Sequence, residues 1–320
     1  MNTDKSAILI RIKKAFKDEV KKPNNIRLPR DIDFTITENN VEIHIASKYV
    51  ERNMQEDGAA FEGWALVLKR WGKFEKVILS WDLPASDTNG HYQRFLFRVY
   101  NFAKDFKNWF SIQISCLPLL TTLMIIDTET YYLSLPYNNR DREDLQGTES
   151  KLEYAFSKGA WANALKSETN AKYLNRQLPV GIFTKPVSKL TSIFPRNKSA
   201  IDIWGISIAN ELLLFELKAD NNNKVGIITE LYFYSCIMKR VQSGLFKHEL
   251  TKLDLDMDMI AKSKGIIAYL FAPELHLLID SELAKIVNDG VSPSIEFKYL
   301  KFDAKKDNLV LEDGFNSSNP

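Results

Sequence analysis

Apolar positions along the chain fall into two regimes separated by one polar run. In the first half, Asp33–Thr37 and Val41–Ala46 alternate around Asn39-Asn40, which predicts a β-hairpin. Ala59–Trp71 follows a helical period, Val77–Leu83 reads as a strand ending at Pro84, and Pro84–Gly90 is turn-rich. His91–Phe106 is a second helix, with Phe95, Val99, Phe102 and Phe106 on one side. Ser111–Leu117 and Leu119–Asp127 read as strands, with Tyr131–Leu135 placed to pair with them. The polar run Asn138–Gly147 follows.

In the second half, Thr148–Leu165 predicts a helix with Leu152, Phe156 and Leu165 inward. Leu178–Phe183 is a short strand and Ala200–Lys218 a β-hairpin. Gly226–Val241 reads as a buried helix and Gly265–Phe271 as a strand covered on both faces. Ser281–Asn288 is a short helix closed by Gly290, and Ser294–Phe302 an outer strand. The pattern predicts an α+β domain over residues 1–140, an α/β domain over 148–303 and a tail over 304–320.

Composition adds little to this division. A chain of 320 residues is long enough for two cores. The longest apolar stretch, Ile112–Ile126, is interrupted by Gln113, Pro118 and a Thr pair, so no membrane span is expected. The apolar stretch Ala7–Ile12 is broken by charges and lacks the features of a signal peptide. Cys116 and Cys236 sit in apolar segments and read as reduced core residues, so a cytoplasmic setting is expected. Net charge is only +2, but residues 151–200 hold nine Lys or Arg against Glu153 and Glu168 alone. Lys185, Lys189, Arg196 and Lys198 lead directly toward the hairpin, a placement suited equally to phosphate contact and to a solvated face.

The chemistry concentrates in that hairpin. Asp202 interrupts an apolar strand, and Glu216 and Lys218 end the next one. Glu216 and Lys218, two apart, share a face, with Phe215 and Leu217 on the other. Such groups are costly in a core unless paired or metal-bound. Two carboxylates and a lysine brought together suit a divalent cation and attack on a phosphodiester.

Asp202 followed by Glu216-Leu217-Lys218 resembles the PD-(D/E)XK nuclease superfamily, the restriction-endonuclease-like proteins. The residue before the Asp is Ile201 where the family usually has Pro. The resemblance covers roughly the C-terminal half and implies a helix–strand–strand–strand–helix–strand core, with a mixed central sheet flanked by helices. It implies that Asp202 and Glu216, with the Leu217 carbonyl, ligate Mg²⁺ or Mn²⁺ and that Lys218 assists the attacking water or the phosphate. Glu153 and Glu230 stand where many members keep an accessory acid on the first helix and on the helix after the lysine. The implied activity is metal-dependent DNA hydrolysis, with the N-terminal domain supplying substrate selection or homodimer contacts. The alternatives are an inactive binding or assembly module on the same fold, and a coincidental Glu-x-Lys in which the charges merely pair.

Other features carry less. His44, His91, His248 and His276 are scattered, Glu62 in its apolar helix is expected to be exposed or paired, and Trp64, Trp71 and Trp81 are expected in a core rather than against bases. The Asp254, Asp256, Asp258 run lacks the glycine and terminal glutamate of a calcium loop and is expected in a solvated loop or edge. Phosphate-binding glycine loops and internal repeats are absent from the sequence.

Overall fold

A computed structural model describes residues 4–19, 26–125, 129–133, 147–184, 188–195, 200–219, 224–248, 255–305 and 308–315. The chain is mixed α/β and divides into two units. Unit 1 is residues 1–124 with 224–229 and 276–292, and unit 2 is 125–223, 230–275 and 293–320. The division therefore falls before residue 140, and two later segments belong to the first unit. Among the described residues no helix is long and apolar enough to cross a membrane.

Unit 1 begins with helix α1 (Lys5–Glu19), then strands β1 (Ile32–Thr37) and β2 (Asn40–Ile45), which form the expected antiparallel hairpin. Helix α2 (Ser47–Val50) and helix α3 (Phe61–Arg70) lead to β3 (Lys76–Trp81), and α4 (Gly90–Asp105) leads to β4 (Phe110–Ile112). The sheet order is β1-β2-β3-β4, with β2, β3 and β4 parallel. Parallel neighbours need a crossover, which α3 and α4 supply. Phe61 lies 5.6 Å from Phe95 and 5.7 Å from Phe102, so aromatic packing locks the two helices together. Trp64, Trp71 and Trp81 are all buried core residues.

The stretch expected as strands over 111–127 differs. Among its described residues β4 is the one strand, and Ile114–Thr122 forms a 3₁₀ helix. Gln113 caps it through its side chain, and the hydroxyls of Thr121 and Thr122 return to the carbonyls of Pro118 and Leu119. These local bonds compete with a strand ladder.

Glu62, buried within α3, is answered by Arg98 of α4, also buried. Arg98 Nε donates to Glu62 Oε1 at 2.7 Å, Nη2 reaches Oε2, and Nη2 also donates to the Ala59 carbonyl at 2.8 Å. Thr229 adds a donor to Oε2 at 3.3 Å. The carboxylate is structural, as its paired reading anticipated.

Unit 2 opens with β5 (Tyr131–Leu133) and helices α5 (Thr148–Ser157) and α6 (Ala162–Thr169). The single helix expected over 148–165 is broken at 158–161, where the N–H of Gly159 closes on the Tyr154 carbonyl at 2.8 Å. Strands β6 (Ala171–Pro179), β7 (Ile182–Phe183), β8 (Ala200–Ser207) and β9 (Leu212–Leu217) follow. Helix α7 (Gly226–Gln242) runs from unit 1 residues into unit 2, and β10 (Phe246–His248), α8 (Leu255–Ala261) and β11 (Ile266–Ala272) come next. Helix α9 (Ser281–Gly290) belongs to unit 1 and includes Gly290, and β12 (Ile295–Lys305) and β13 (Asn308–Asp313) complete the chain.

The main sheet has the order β13-β12-β11-β9-β8-β6. The β6–β8 and β8–β9 pairs are antiparallel, whereas β9–β11 and β11–β12 are parallel. Strand β12 is not an outer strand, because β13, within the expected tail, pairs antiparallel beside it. Tyr131–Leu133 pairs with β10 and β7 in a separate three-stranded sheet, not with the region after Ser111. Asp256 and Asp258 of the acidic run lie in helix α8 and not in the expected loop or edge, while Asp254 lies outside the described residues. Phe215 and Leu217 join a core with Phe156, Leu165, Ile203 and Phe271. Gly205 is required where β6 bulges, since a Cβ there would meet the Tyr173 carbonyl at 2.4 Å.

Arg98→Met with Glu62 intact strands a buried carboxylate and is expected to cost about 3–5 kcal/mol in urea unfolding. The double variant Glu62→Leu/Arg98→Met is expected to lose far less. Equal losses in the two would contradict the ion-pair account.

Candidate functional site

The hairpin β8–β9 sets the site's frame. Ile203 faces Phe215 and Trp204 faces Leu214, so Asp202 and Glu216 come from adjacent strand ends. Asp202 Oδ2 accepts the Leu217 backbone N–H at 3.0 Å, which closes the ladder with a side chain. The ladder continues past β9 through the Lys218 N–H, which donates to the Phe271 carbonyl at 2.9 Å. The β8–β9–β11 alignment thus fixes the backbone of all three motif residues.

Lys218 is buried, as are Glu216 and Glu230 of α7. Its ammonium lies 2.5 Å from Glu216 Oε1 and 3.2 Å from Glu230 Oε2. Glu216 Oε2 is buried with no hydrogen-bond partner among the described residues. On the neighbouring elements, Glu153 of α5 accepts from Gln177 of β6 at 2.7 Å, and Arg176 Nη1 stands 3.7 Å from the same oxygen. All five expected acid and lysine positions, Glu153, Asp202, Glu216, Lys218 and Glu230, therefore belong to one electrostatic cluster.

Burial raises the Asp202 carboxyl well above its ordinary value; Lys218 opposes this, and Glu153 and Glu230 add to it. Glu216 is likewise raised well above its ordinary value by burial first, then by Asp202 and Glu230, against Lys218. Glu153 is raised by burial and held down in part by Gln177 and Arg176. Lys218 is raised despite its own burial, because Glu216, Glu230 and Asp202 surround it.

Hard oxygen donors of this kind suit Mg²⁺ or Mn²⁺. Among the described residues no three His, Cys, Asp or Glu side chains are grouped as a ready metal cage. A set of two carboxylates and one carbonyl needs no third such side chain. The acids of the cluster outnumber its cations, and Glu216 also meets the Glu230 carboxyl, so Asp202, Glu216 and the Leu217 carbonyl are the oxygens that could hold a divalent ion.

The expected phosphate-contact residues are less informative. Lys189 is exposed, whereas Lys185, Arg196 and Lys198 lie outside the described residues. Arg176, counted in the basic run, turns inward to Glu153. His44, His91 and His276 belong to unit 1, and the side chain of His248 lies outside the described ones. The sequence reading missed Arg176 and Gln177 as members of the cluster, and nothing in their residue types marks them. No family model matches the chain, and neither a curated protein nor a solved structure matches it.

The raised carboxyls set a direction for pH. A folded-state carboxyl above its ordinary value of 4.5 holds its proton longer than the unfolded chain does, so stability falls as pH rises past that value. Lys218, also raised, contributes fully below its ordinary 10.5 and loses its contribution only above it. Over about pH 5 to 8 its charge therefore acts by restraining the carboxyls. Glu216→Gln is expected to flatten the fall in unfolding free energy across that range, and Lys218→Met to steepen it. Urea titrations at three pH values would show this; a common slope for all three proteins would contradict the coupling.

Proposed function

We propose that the chain is a metal-dependent nuclease that hydrolyses DNA phosphodiester bonds. The observation that carries this reading is the meeting of Asp202, Glu216 and Lys218 from adjacent strand ends, with Glu153 and Glu230 beside them. The order α5/α6–β6–β8–β9–α7–β11, with β11 parallel to β9, supports a restriction-endonuclease-like core. Asp202, Glu216 and the Leu217 carbonyl would hold Mg²⁺ or Mn²⁺, which when bound neutralises phosphate charge and acidifies a water.

The chain's own residues supply the rest. The Lys218 ammonium is positioned by two carboxylates and stabilises negative charge developing on the phosphate oxygens. Water adds to phosphorus and gives up a proton to solvent, the ester P–O bond breaks, and the departing alkoxide takes a proton from solvent. Glu153 and Glu230 are accessory acids that hold cations in place. Exposed Lys189, with Lys185, Arg196 and Lys198, would track the DNA backbone. Unit 1 would serve substrate selection or homodimer contacts.

The burial and mutual pairing of Glu216, Lys218 and Glu230 are the observation behind a second reading, an inactive nucleic-acid-binding or assembly module of the same fold. Assays on linear, nicked, single-stranded and supercoiled DNA with Mg²⁺ and Mn²⁺ separate the two. Lys218→Ala is expected to lower cleavage by roughly a hundredfold with DNA binding nearly intact. Neutralising Lys185, Lys189, Arg196 and Lys198 together is expected to weaken binding and flatten its salt dependence. Thermal melting of each variant controls for misfolding. A wild type that cleaves none of these DNAs, or cleavage that survives both Lys218→Ala and Asp202→Ala, would overturn the nuclease reading.

A further inference from the structure

Strand β6 contains an irregularity beside the cluster. Gln177 has φ of 54°, in the left-handed region that a residue with a Cβ adopts rarely. The other non-glycine residues with positive φ among those described are Glu38, Lys73, Asn170 and Asn210. Glu38 and Asn210 lie in hairpin turns, Asn170 caps α6, and Lys73 follows α3, so Gln177 stands apart in lying inside a strand. The register places it opposite Asp202, since Arg176 pairs with Ile203 and Leu178 with Ile201.

Consecutive side chains on a regular strand leave on opposite faces. Arg176 and Gln177 nevertheless both reach Glu153 Oε2, at 3.7 and 2.7 Å. The left-handed turn of the backbone at Gln177 breaks the alternation and permits this. The Arg176 N–H is taken by the Asn175 side chain at 2.9 Å, and Asn175 in turn donates to the Tyr173 hydroxyl at 2.9 Å. The surrounding side chains thus support a backbone conformation with its own cost, a pattern found where a site must be aimed.

We infer that Gln177 is a positioning residue of the candidate site, whose left-handed backbone aims its carboxamide at Glu153 and holds that carboxylate beside Asp202. The inference rests on the nuclease reading, and it adds a residue whose role there is orientation, not contact with the reacting atoms. Partners that orient a site's acids commonly change metal affinity or activity by 10–100-fold when removed.

Gln177→Gly tests it, because glycine accepts the left-handed backbone while deleting the carboxamide. The variant is expected to melt close to wild type, because relief of the left-handed backbone offsets the lost carboxamide bond to Glu153. Its Mn²⁺ affinity by calorimetry is expected to fall about tenfold, and kcat for DNA cleavage by a similar factor with KM nearly unchanged. A purely structural Gln177 would not lower Mn²⁺ affinity at an undiminished melting temperature. Wild-type Mn²⁺ affinity in Gln177→Gly overturns the inference whatever the cleavage rates, and a melting temperature far below wild type overturns its strain argument. A wild type that cleaves no DNA but binds Mn²⁺ more tightly than Gln177→Gly leaves the positioning role standing and removes the nuclease reading. A wild type that binds no Mn²⁺ overturns both.

Discussion

An ammonium that stays charged when buried needs carboxylates beside it, and several elements of unit 2 meet to supply them to Lys218. The desolvation of such a group is repaid only by close, well-aligned opposite charges. Glu216 two residues back and Glu230 on α7 provide them, at 2.5 and 3.2 Å. That requirement ties the end of β9 to α7. The Asp202 bond to the Leu217 N–H ties the start of β8 to the same point, and Gln177 with Arg176 ties β6 to α5 through Glu153. The elements that surround the site are thereby held by the charges that compose it.

A comparison within the chain separates support from chemistry. In unit 1, Glu62 and Arg98 form a closed buried pair: both carboxylate oxygens are engaged, and Arg98 also reaches the Ala59 carbonyl. Thr229 completes it. In unit 2 the acids outnumber the cations, their carboxyls are pushed upward, and Glu216 Oε2 has no hydrogen-bond partner among the described residues. A saturated pair has little left to bind. An oxygen-rich cluster whose acids outnumber its cations has donors to spare for a cation, and perturbed acids gathered in this way mark candidate functional sites.

Much of this frame was legible in the sequence, and the exceptions have physical causes. The hairpin β8–β9 could be read because Asp202, Glu216 and Lys218 break otherwise apolar strands at fixed offsets. Glu153 and Glu230 were found through the resemblance, not through periodicity. The region after Ser111 was misread because an apolar run without alternation does not distinguish a strand from tight helical turns, and the capping by Gln113 is a local effect. The helix at 148–165 looked continuous because its inward residues keep their spacing across the break at 158–161. Strand β12 looked like an edge because the partner that covers it lies in what read as a tail. Gln177 carries no signal at all, since glutamine does not announce a positive φ and its register opposite Asp202 depends on the folded ladder.

The central claim is that the Asp202–Glu216 cluster is a divalent-cation centre and not merely a buried charge network. Anomalous scattering from crystals of the protein soaked in Mn²⁺ tests this most directly. The account predicts a manganese peak coordinated by Asp202, Glu216 and the Leu217 carbonyl, lost in Asp202→Ala while the fold is retained. No peak there, or a peak only at other surface acids, would contradict it.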